Sequence, residues 1–188
     1  MEKLGTEPNL GEPLTMSTTV ETAGSRKTAR LQPQGTVECV VFDMDGTLAN
    51  TVSLFTHFED RSIPRPLRMI RFQAEAAVCD PNEHVLAEAL RLQAEGVPVV
   101  VLTARFERWR EITEFTLETF GLTPDELIMR PNGDELSDAE SKAALVQEMQ
   151  ARGWCPKMFW EDNESVANML TDRGYSVTVV EADQSLQR

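Results

Sequence analysis

Two carboxylates stand one residue apart at the end of an apolar run. Residues 40–42 predict a buried strand, and Asp43 and Asp45 follow it directly, with Gly46 after them. Side chains alternate along an extended chain, so both carboxylates are expected on one side, and the glycine permits a sharp turn there. Two such acids are suited to bind a cation or to share a proton. A strand followed by an ordinary Asp-Gly turn is the alternative interpretation.

Other polar residues follow predicted strands in the same way. Short apolar runs at residues 97–102, 127–129 and 158–160 predict three more strands. The polar residues after these runs are Thr103, Arg105, Arg130, Glu161 and Asp162. In a parallel sheet the carboxyl ends of the strands lie at one edge, so we expect these side chains near the first acidic pair.

The charges at this edge indicate what could bind there. Converging carboxylates would repel a phosphate, so a phosphate site requires a hard divalent cation, and oxygen ligands suit Mg²⁺. Lys142, Arg105 and Arg130 would supply further positive charge, since arginine can bind phosphate oxygens with two hydrogen bonds. Asp138 lies one helical turn before Lys142, where a simple salt bridge between the two is the alternative to a site role.

Helices are predicted between the strands. Asp80, followed by a proline and Glu83, predicts a helix start with Asp80 as the N-cap, and Gly96 predicts its end. Further helices are predicted at residues 107–120, 137–151 and 164–173, and a fifth strand at residues 175–180. Strands that alternate with helices through short loops indicate an α/β fold with a parallel sheet covered on both faces.

Composition limits the class of protein. The chain has 188 residues and a net charge of −13, which disfavours generic nucleic-acid binding. Residues 1–36 are rich in Thr, Ser, Gly and Pro and predict a disordered leader before a domain of residues 37–188. No apolar run is long enough to span a membrane, and no signal peptide is evident. Three widely spaced cysteines then predict reduced thiols in the cytoplasm.

Four sequence motifs resemble those of the haloacid dehalogenase (HAD) superfamily of phosphotransferases. The segment Asp43-Met44-Asp45-Gly46-Thr47-Leu48 matches the first motif at every position, and Thr103, Lys142 and the acidic pair 161–162 follow in the expected order. The resemblance implies a HAD-like Rossmannoid three-layer fold with a parallel five-stranded sheet and a minimal cap.

The same resemblance implies a role for each motif residue. Asp43 is expected to be the nucleophile that forms an aspartyl-phosphate, and Asp45 the residue that moves the proton. Thr103 and Lys142 are expected to hold the phosphoryl group. The expected metal ligands are Asp43, the backbone carbonyl of Asp45, and Asp162. Glu161 is a further candidate.

Within the superfamily, the chain resembles the phosphatase domain of phage-type polynucleotide kinase/phosphatases. The similarity rests on residues 102–105 and 129–134 and implies that Arg105, Arg130 and Asp138 belong to the active site. Three departures occur: alanine at position 104 in place of glycine, glutamate at 161 in place of aspartate, and asparagine at 163 in place of arginine. The glutamate at position 161 leaves open whether Glu161 or Asp162 binds the metal. The sequence contains no phosphate loop of a kinase, so a stand-alone phosphatase is expected.

The insertion between the first strand and the first long helix has two features of interest. It is short, so an open site that could admit a polymer end is expected. Residues 61–72 carry four arginines and no acid, which indicates either a solvated surface segment broken by prolines or a basic wall for a phosphodiester backbone.

The preferred function is a Mg²⁺-dependent phosphomonoester hydrolase that removes 3′-phosphates from nucleic acid ends. The first alternative is a HAD phosphatase of a small phosphorylated metabolite or nucleotide, which the net charge favours. The second is a non-catalytic HAD-like binding module. The substrate in either enzymatic case is a phosphomonoester, no membrane partner is expected, and the oligomeric state is not predicted.

Overall fold

Five parallel strands form one sheet. The computed structural model describes residues 37–181, so the leader expected at residues 1–36 lies outside the described residues. The strands are β1 (Val37–Phe42), β2 (Val99–Phe106), β3 (Glu126–Arg130), β4 (Trp154–Glu161) and β5 (Ser176–Val179). Their order is β3-β2-β1-β4-β5, which places β1 at the centre. The expected parallel five-stranded sheet is confirmed.

Helices cover both faces of this sheet. They are α1 (Arg65–Ala76), α2 (Glu83–Ala94), α3 (Arg110–Thr119), α4 (Asp138–Ala151) and α5 (Glu164–Asp172), with short 3₁₀ helices at Val52–Phe58 and Glu107–Trp109. Alternate residues of β2 enter different cores: Val99 and Val101 pack with residues of α2 and α3, whereas Val100 packs with residues of α4 and α5. Because both faces are buried, the central strands are apolar at consecutive positions.

Helix α2 begins later than its sequence predicts. Asp80 is expected as the N-cap, but the N-cap is Asn82 and the first helical residue is Glu83. The Asn82 side chain does not cap the helix; its amide donates to the carbonyl oxygens of Gly46 and Thr47 at 2.8 and 2.7 Å. The prediction was wrong because these tertiary hydrogen bonds, and not the local capping pattern, position the start of α2.

Strands β2 and β4 are longer than their apolar runs. β2 continues to Phe106, and β4 begins at Trp154 and includes Pro156. Residues 123–126 have the pattern of a helix start but lead directly into β3, whose first residue is Glu126. The carboxylate of Asp125 accepts a hydrogen bond from the backbone N–H of Val99 at 2.8 Å. None of the helices in residues 37–181 is long and apolar enough to cross a bilayer.

The insertion between β1 and α2 is a small helical unit made of the first 3₁₀ helix and α1. Phe55 and Phe58 of the 3₁₀ helix pack on Phe72 of α1, with ring centroids 5.5 and 5.3 Å apart. The proline-containing segment is helical from Arg65, because Pro66 lies in the first turn, where a missing N–H costs nothing. This unit is the minimal cap.

Candidate active site

The ammonium group of Lys142 lies between two buried carboxylates. Its Nζ is 2.6 Å from Oδ1 of Asp43 and 2.6 Å from Oε2 of Glu161. Asp43 follows β1, Glu161 ends β4 and Lys142 lies on α4, so three elements converge. Burial lowers the pKa of Lys142, but the two carboxylates outweigh this effect and raise it, so the ammonium stays charged. The single positive charge of Lys142 is thus shared by the two negative charges of Asp43 and Glu161.

Asp162 adds a third carboxylate to this group. Carboxylate oxygens of Asp43, Glu161 and Asp162 all lie within 4.8 Å of one another. Burial and repulsion by Asp43 raise the pKa of Asp162 to about 7, and burial also raises the pKa of Asp43 and that of Glu161. Glu161 is already held by Lys142 and by the backbone N–H of Asn163 at 3.1 Å. The carboxylate of Asp162 accepts a long hydrogen bond from the Thr47 hydroxyl, at 3.5 Å.

Gly46 allows Asp162 to approach the loop after β1. Its φ is +82°, and a Cβ added at this position would lie 2.0 Å from Oδ2 of Asp162. The backbone conformation and the lack of space therefore both exclude a side chain. The loop is closed by a hydrogen bond from the N–H of Gly46 to the carbonyl of Ala49 at 2.9 Å and by the amide of Asn82.

Asp45 is bound by Arg105 through two hydrogen bonds. Nε and Nη2 of Arg105 donate to the two carboxylate oxygens of Asp45 at 2.8 and 2.6 Å. The arginine is buried, and the Thr103 hydroxyl accepts from its backbone N–H at 3.2 Å. This planar pairing fixes the orientation of the Asp45 carboxylate. The side chain of Asp45 nevertheless remains 19% exposed, so it can still meet a ligand.

Arg130 organises the loop between β3 and α4. It donates from Nε to Asp134 at 3.1 Å, from Nη1 to Asp138 at 2.9 Å, and from Nη2 to the carbonyl oxygen of Leu136. The salt bridge between Asp138 and Lys142 that the sequence left open is not formed, because Arg130 binds the aspartate and the two buried carboxylates bind the lysine.

The residues predicted from the sequence lie around one cavity of about 310 Å³. Those that line it are Asp43, Asp45, Thr103, Arg105, Arg130, Asp138, Lys142, Glu161 and Asp162. Asn82 was missed as a site residue, because a polar residue near a helix start was interpreted only as part of a cap. Its one signal is that it is an amide close to the first acidic motif in the predicted fold.

The four arginines of residues 61–72 do not form a continuous wall along the site. Arg65 lines the cavity. Arg68 instead donates to the carbonyl oxygen of Phe58 at 2.5 Å, and Arg61 and Arg71 are exposed and do not line the cavity. Of the expected basic wall, only Arg65 among these four arginines lines the cavity.

Known proteins resemble the chain in sequence pattern and in fold. A family model described as the polynucleotide kinase PNKP phosphatase domain matches residues 37–184. A chain of the Pnkp1/Rnl/Hen1 complex superposes with a TM-score of 0.64 at 23% identity, over 79% of this chain and 47% of that one. The present chain thus spans about half the length of that relative. Among curated proteins, none matches the sequence.

Two further structures share the fold at lower identity. The class C acid phosphatase from Bacillus anthracis, with tungstate bound, gives a TM-score of 0.60 at 13% identity, over 79% of this chain and 68% of that one. The L-2-haloacid dehalogenase from Xanthobacter autotrophicus gives a TM-score of 0.50 at 16% identity, over 76% of this chain and 77% of that one. With the family match extending over the whole described domain, the chain belongs to the PNKP phosphatase-domain family of the HAD superfamily.

Proposed function

We propose that the protein is a Mg²⁺-dependent phosphomonoesterase that works through an aspartyl-phosphate on Asp43 and removes 3′-phosphates from nucleic acid ends. The observation that carries the proposal is the position of the Asp43 carboxylate, held by Lys142, beside Asp162 and within one cavity. The cytoplasmic location expected from the sequence remains part of the proposal.

The donor set fits Mg²⁺. Asp43 and Asp162 offer carboxylate oxygens, and the backbone carbonyl of Asp45 would complete the protein ligands; hard oxygen donors are those that Mg²⁺ prefers. We assign the metal to Asp162 and not to Glu161, because Glu161 is held both by Lys142 and by the backbone N–H of Asn163. When bound, the cation would offset the repulsion between these acids and the phosphate and would stabilise charge on the phosphoryl oxygens.

Asp43 acts as the nucleophile in this mechanism. A carboxylate oxygen attacks phosphorus, the bond from phosphorus to the ester oxygen breaks, and Asp45 gives its proton to that leaving oxygen. Asp45 then takes a proton from water, which attacks phosphorus and releases inorganic phosphate, so that Asp43 returns as a carboxylate. Lys142 and Thr103 hold the phosphoryl oxygens through both steps.

The pairing of Asp45 with Arg105 must change during this cycle. An acid that accepts two hydrogen bonds from a guanidinium is poorly placed to carry a proton, so Arg105 has to release it. A phosphate dianion in the cavity competes for the same guanidinium. Substrate binding would therefore free Asp45 at the step where its proton is needed.

Support for a nucleic acid substrate comes from three directions. The family is named for polynucleotide kinase, and one similar chain is part of a complex described as an RNA repair complex. Arg65 and Arg130 also line the cavity and can bind phosphate. A small phosphorylated metabolite is the second candidate, favoured by the net charge of −13.

The test compares phosphate release from a 3′-phosphorylated oligonucleotide, nucleoside monophosphates and sugar phosphates, with Mg²⁺ and with a chelator. We expect the highest kcat/KM for the oligonucleotide and a loss of activity on chelation. Turnover of the small esters alone would overturn the nucleic acid part.

The covalent step has its own test. Asp43→Asn is expected to lower kcat by more than about 10³-fold. Asp45→Asn is expected to lower it by about 10²–10⁴-fold, with a burst of p-nitrophenol from p-nitrophenyl phosphate. That leaving group needs no proton, whereas hydrolysis of the intermediate still needs a base that takes a proton from water. An Asp43→Asn variant that keeps full activity would remove the covalent mechanism.

A further inference from the structure

A second groove, of about 750 Å³, adjoins the catalytic cavity. The two are continuous, since Arg65, Met69, Phe106, Arg130 and Asp138 line both. A substrate whose phosphate lies at the catalytic acids can therefore extend its remaining atoms into this groove. Its lining is the part of the molecule that meets the group attached to the phosphate.

The groove has apolar and aromatic walls. Helix α1 contributes Met69 and Ile70, and Ile70 is half exposed. The end of β2 and the 3₁₀ helix that follows contribute Phe106 and Trp109. Flat apolar surfaces of this kind suit a planar ring better than a sugar or a short acyl chain, because hydroxyl groups lose their hydration there.

A guanidinium group adds to the flat surface. The guanidinium carbon of Arg108 lies 4.8 Å from the ring centroid of Phe106 and 5.9 Å from that of Trp109. Arginine planes that rest on aromatic rings are a common platform on which proteins stack unpaired nucleobases. Arg108 also lines the groove, so this platform faces the space that the substrate would occupy.

Within the described part of the chain, the two arginines of the groove that face solvent have no carboxylate partner, unlike three other arginines of the domain. Arg91, Arg110 and Arg152 each pair with two glutamates. By contrast, Arg65 and Arg108 form no ion pair with any residue between positions 37 and 181. The groove is also lined by Asp134, Glu135 and Asp138, of which the first and third are bound by Arg130. Arg65 and Arg108 are therefore the cations of the groove that are left to bind a phosphodiester.

We propose that this groove binds the 3′-terminal nucleobase of a single-stranded nucleic acid, stacked on Arg108 and Trp109, with Arg65 beside the adjacent phosphodiester. This proposal rests on the proposed function and specifies its substrate. A terminal base in a duplex is stacked and paired, so it would have to leave the duplex to enter the groove. Single-stranded ends are therefore the preferred substrates.

The test uses two single-stranded oligonucleotides with a 3′-phosphate, identical except that the terminal nucleotide of one lacks its base. For the natural chain, we expect kcat/KM for the oligonucleotide with the base to exceed that for the abasic one by at least about fivefold. Arg108→Ala and Trp109→Ala should bring this ratio close to one, and Trp109→Phe, which keeps an aromatic ring, should restore most of it. Phe115→Ala, which removes an exposed aromatic residue of α3 outside the groove, is the matched control and should leave the ratio unchanged.

Arg65 is tested separately with its neighbour on α1. Arg65→Ala should raise KM for an oligonucleotide of several residues relative to a nucleoside 3′-phosphate, which has no adjacent phosphodiester. Arg71→Ala, an exposed arginine of the same helix, should not change this comparison.

The outcomes separate the two proposals. A natural chain that prefers oligonucleotides to small esters but hydrolyses the two oligonucleotides equally would overturn the base subsite and leave the proposed function standing. A ratio that survives both alanine variants would overturn the assignment to Arg108 and Trp109. A natural chain that hydrolyses no 3′-phosphorylated oligonucleotide would overturn the proposed function itself, and the base subsite with it.

Discussion

Lys142 is the residue on which the catalytic cavity depends most strongly. It is the single cation placed between the buried carboxylates of Asp43 and Glu161. Burying an ion pair brings little net stability, but removing one partner leaves an uncompensated charge in the interior. The same side chain therefore holds the carboxylate of Asp43 in place and keeps the fold stable.

Replacing Lys142 with methionine keeps the length of the side chain and removes its charge. We expect the free energy of unfolding to fall by about 3–5 kcal/mol, measured by urea denaturation. Lys157→Met is the matched control, because the exposed pair of Lys157 with Glu38 should contribute less than about 1 kcal/mol. Equal losses for the two variants would contradict this account of the buried cluster.

Gly46 combines a backbone requirement with a steric one. Gly46→Ala should abolish most activity, because its Cβ would displace Asp162, and it should also reduce stability. Gly174→Ala is the matched control: its φ of +85° is similar, but nothing lies within 4 Å of an added Cβ. We expect the control to lose about 1 kcal/mol of stability with kcat unchanged. Full activity in Gly46→Ala would mean that the contact with Asp162 is dispensable.

At the scale of elements, the start of α2 is tied to the loop after β1 by Asn82. The Asn82→Ala variant leaves the carbonyl oxygens of Gly46 and Thr47 without their donor, at a cost of about 1–3 kcal/mol, and loosens the loop that carries Asp45. We expect both the unfolding midpoint and kcat to fall. Gln93→Ala is the control, because it also removes an amide that donates to a carbonyl, that of Thr123, but at the surface. It should lower the unfolding midpoint and kcat much less than Asn82→Ala does.

The elements near the site were predictable to different degrees. The ends of β1 and β3, beside Asp43 and at Arg130, were predicted from the sequence, because buried parallel strands are continuous apolar runs and polar residues mark their ends. Thr103 was predicted at the end of β2, but this strand continues to Phe106. The capping box of Ser137 and Glu140 also predicted the start of α4, because both of its hydrogen bonds are local.

Contacts between elements could not be predicted in this way. The carboxylates that Lys142 binds depend on how α4 packs against the sheet. The pairing of Asp138 with Arg130 depends on the path of the loop before α4. Asn82 is a further case, since its partners lie more than thirty residues earlier in the chain. Spacing along the chain carries little information on such pairs.

At the scale of the whole molecule, the net charge of −13 opposes the approach of a polyanion. We expect kcat/KM for a 3′-phosphorylated oligonucleotide, at constant Mg²⁺, to rise as monovalent salt increases from about 10 to about 150 mM. Over this range the Debye length falls from about 30 to about 8 Å, which screens the repulsion. Glycerol 2-phosphate, with a single phosphate, should show a smaller rise. A steep fall for the oligonucleotide would show that local arginines outweigh the overall charge.

The central position of β1 has a consequence for the order in which the molecule opens. This strand is paired with β4 along its length and with β2 over residues 40–42, and the N–H of Asp43 donates to the carbonyl of Trp160 at 3.0 Å. Amide hydrogens of β1 should therefore exchange with solvent only through global unfolding, whereas those of the four-residue edge strand β5 should exchange through local opening. The proposed nucleophile, Asp43, is thus carried by a segment that remains folded while the edges of the sheet open.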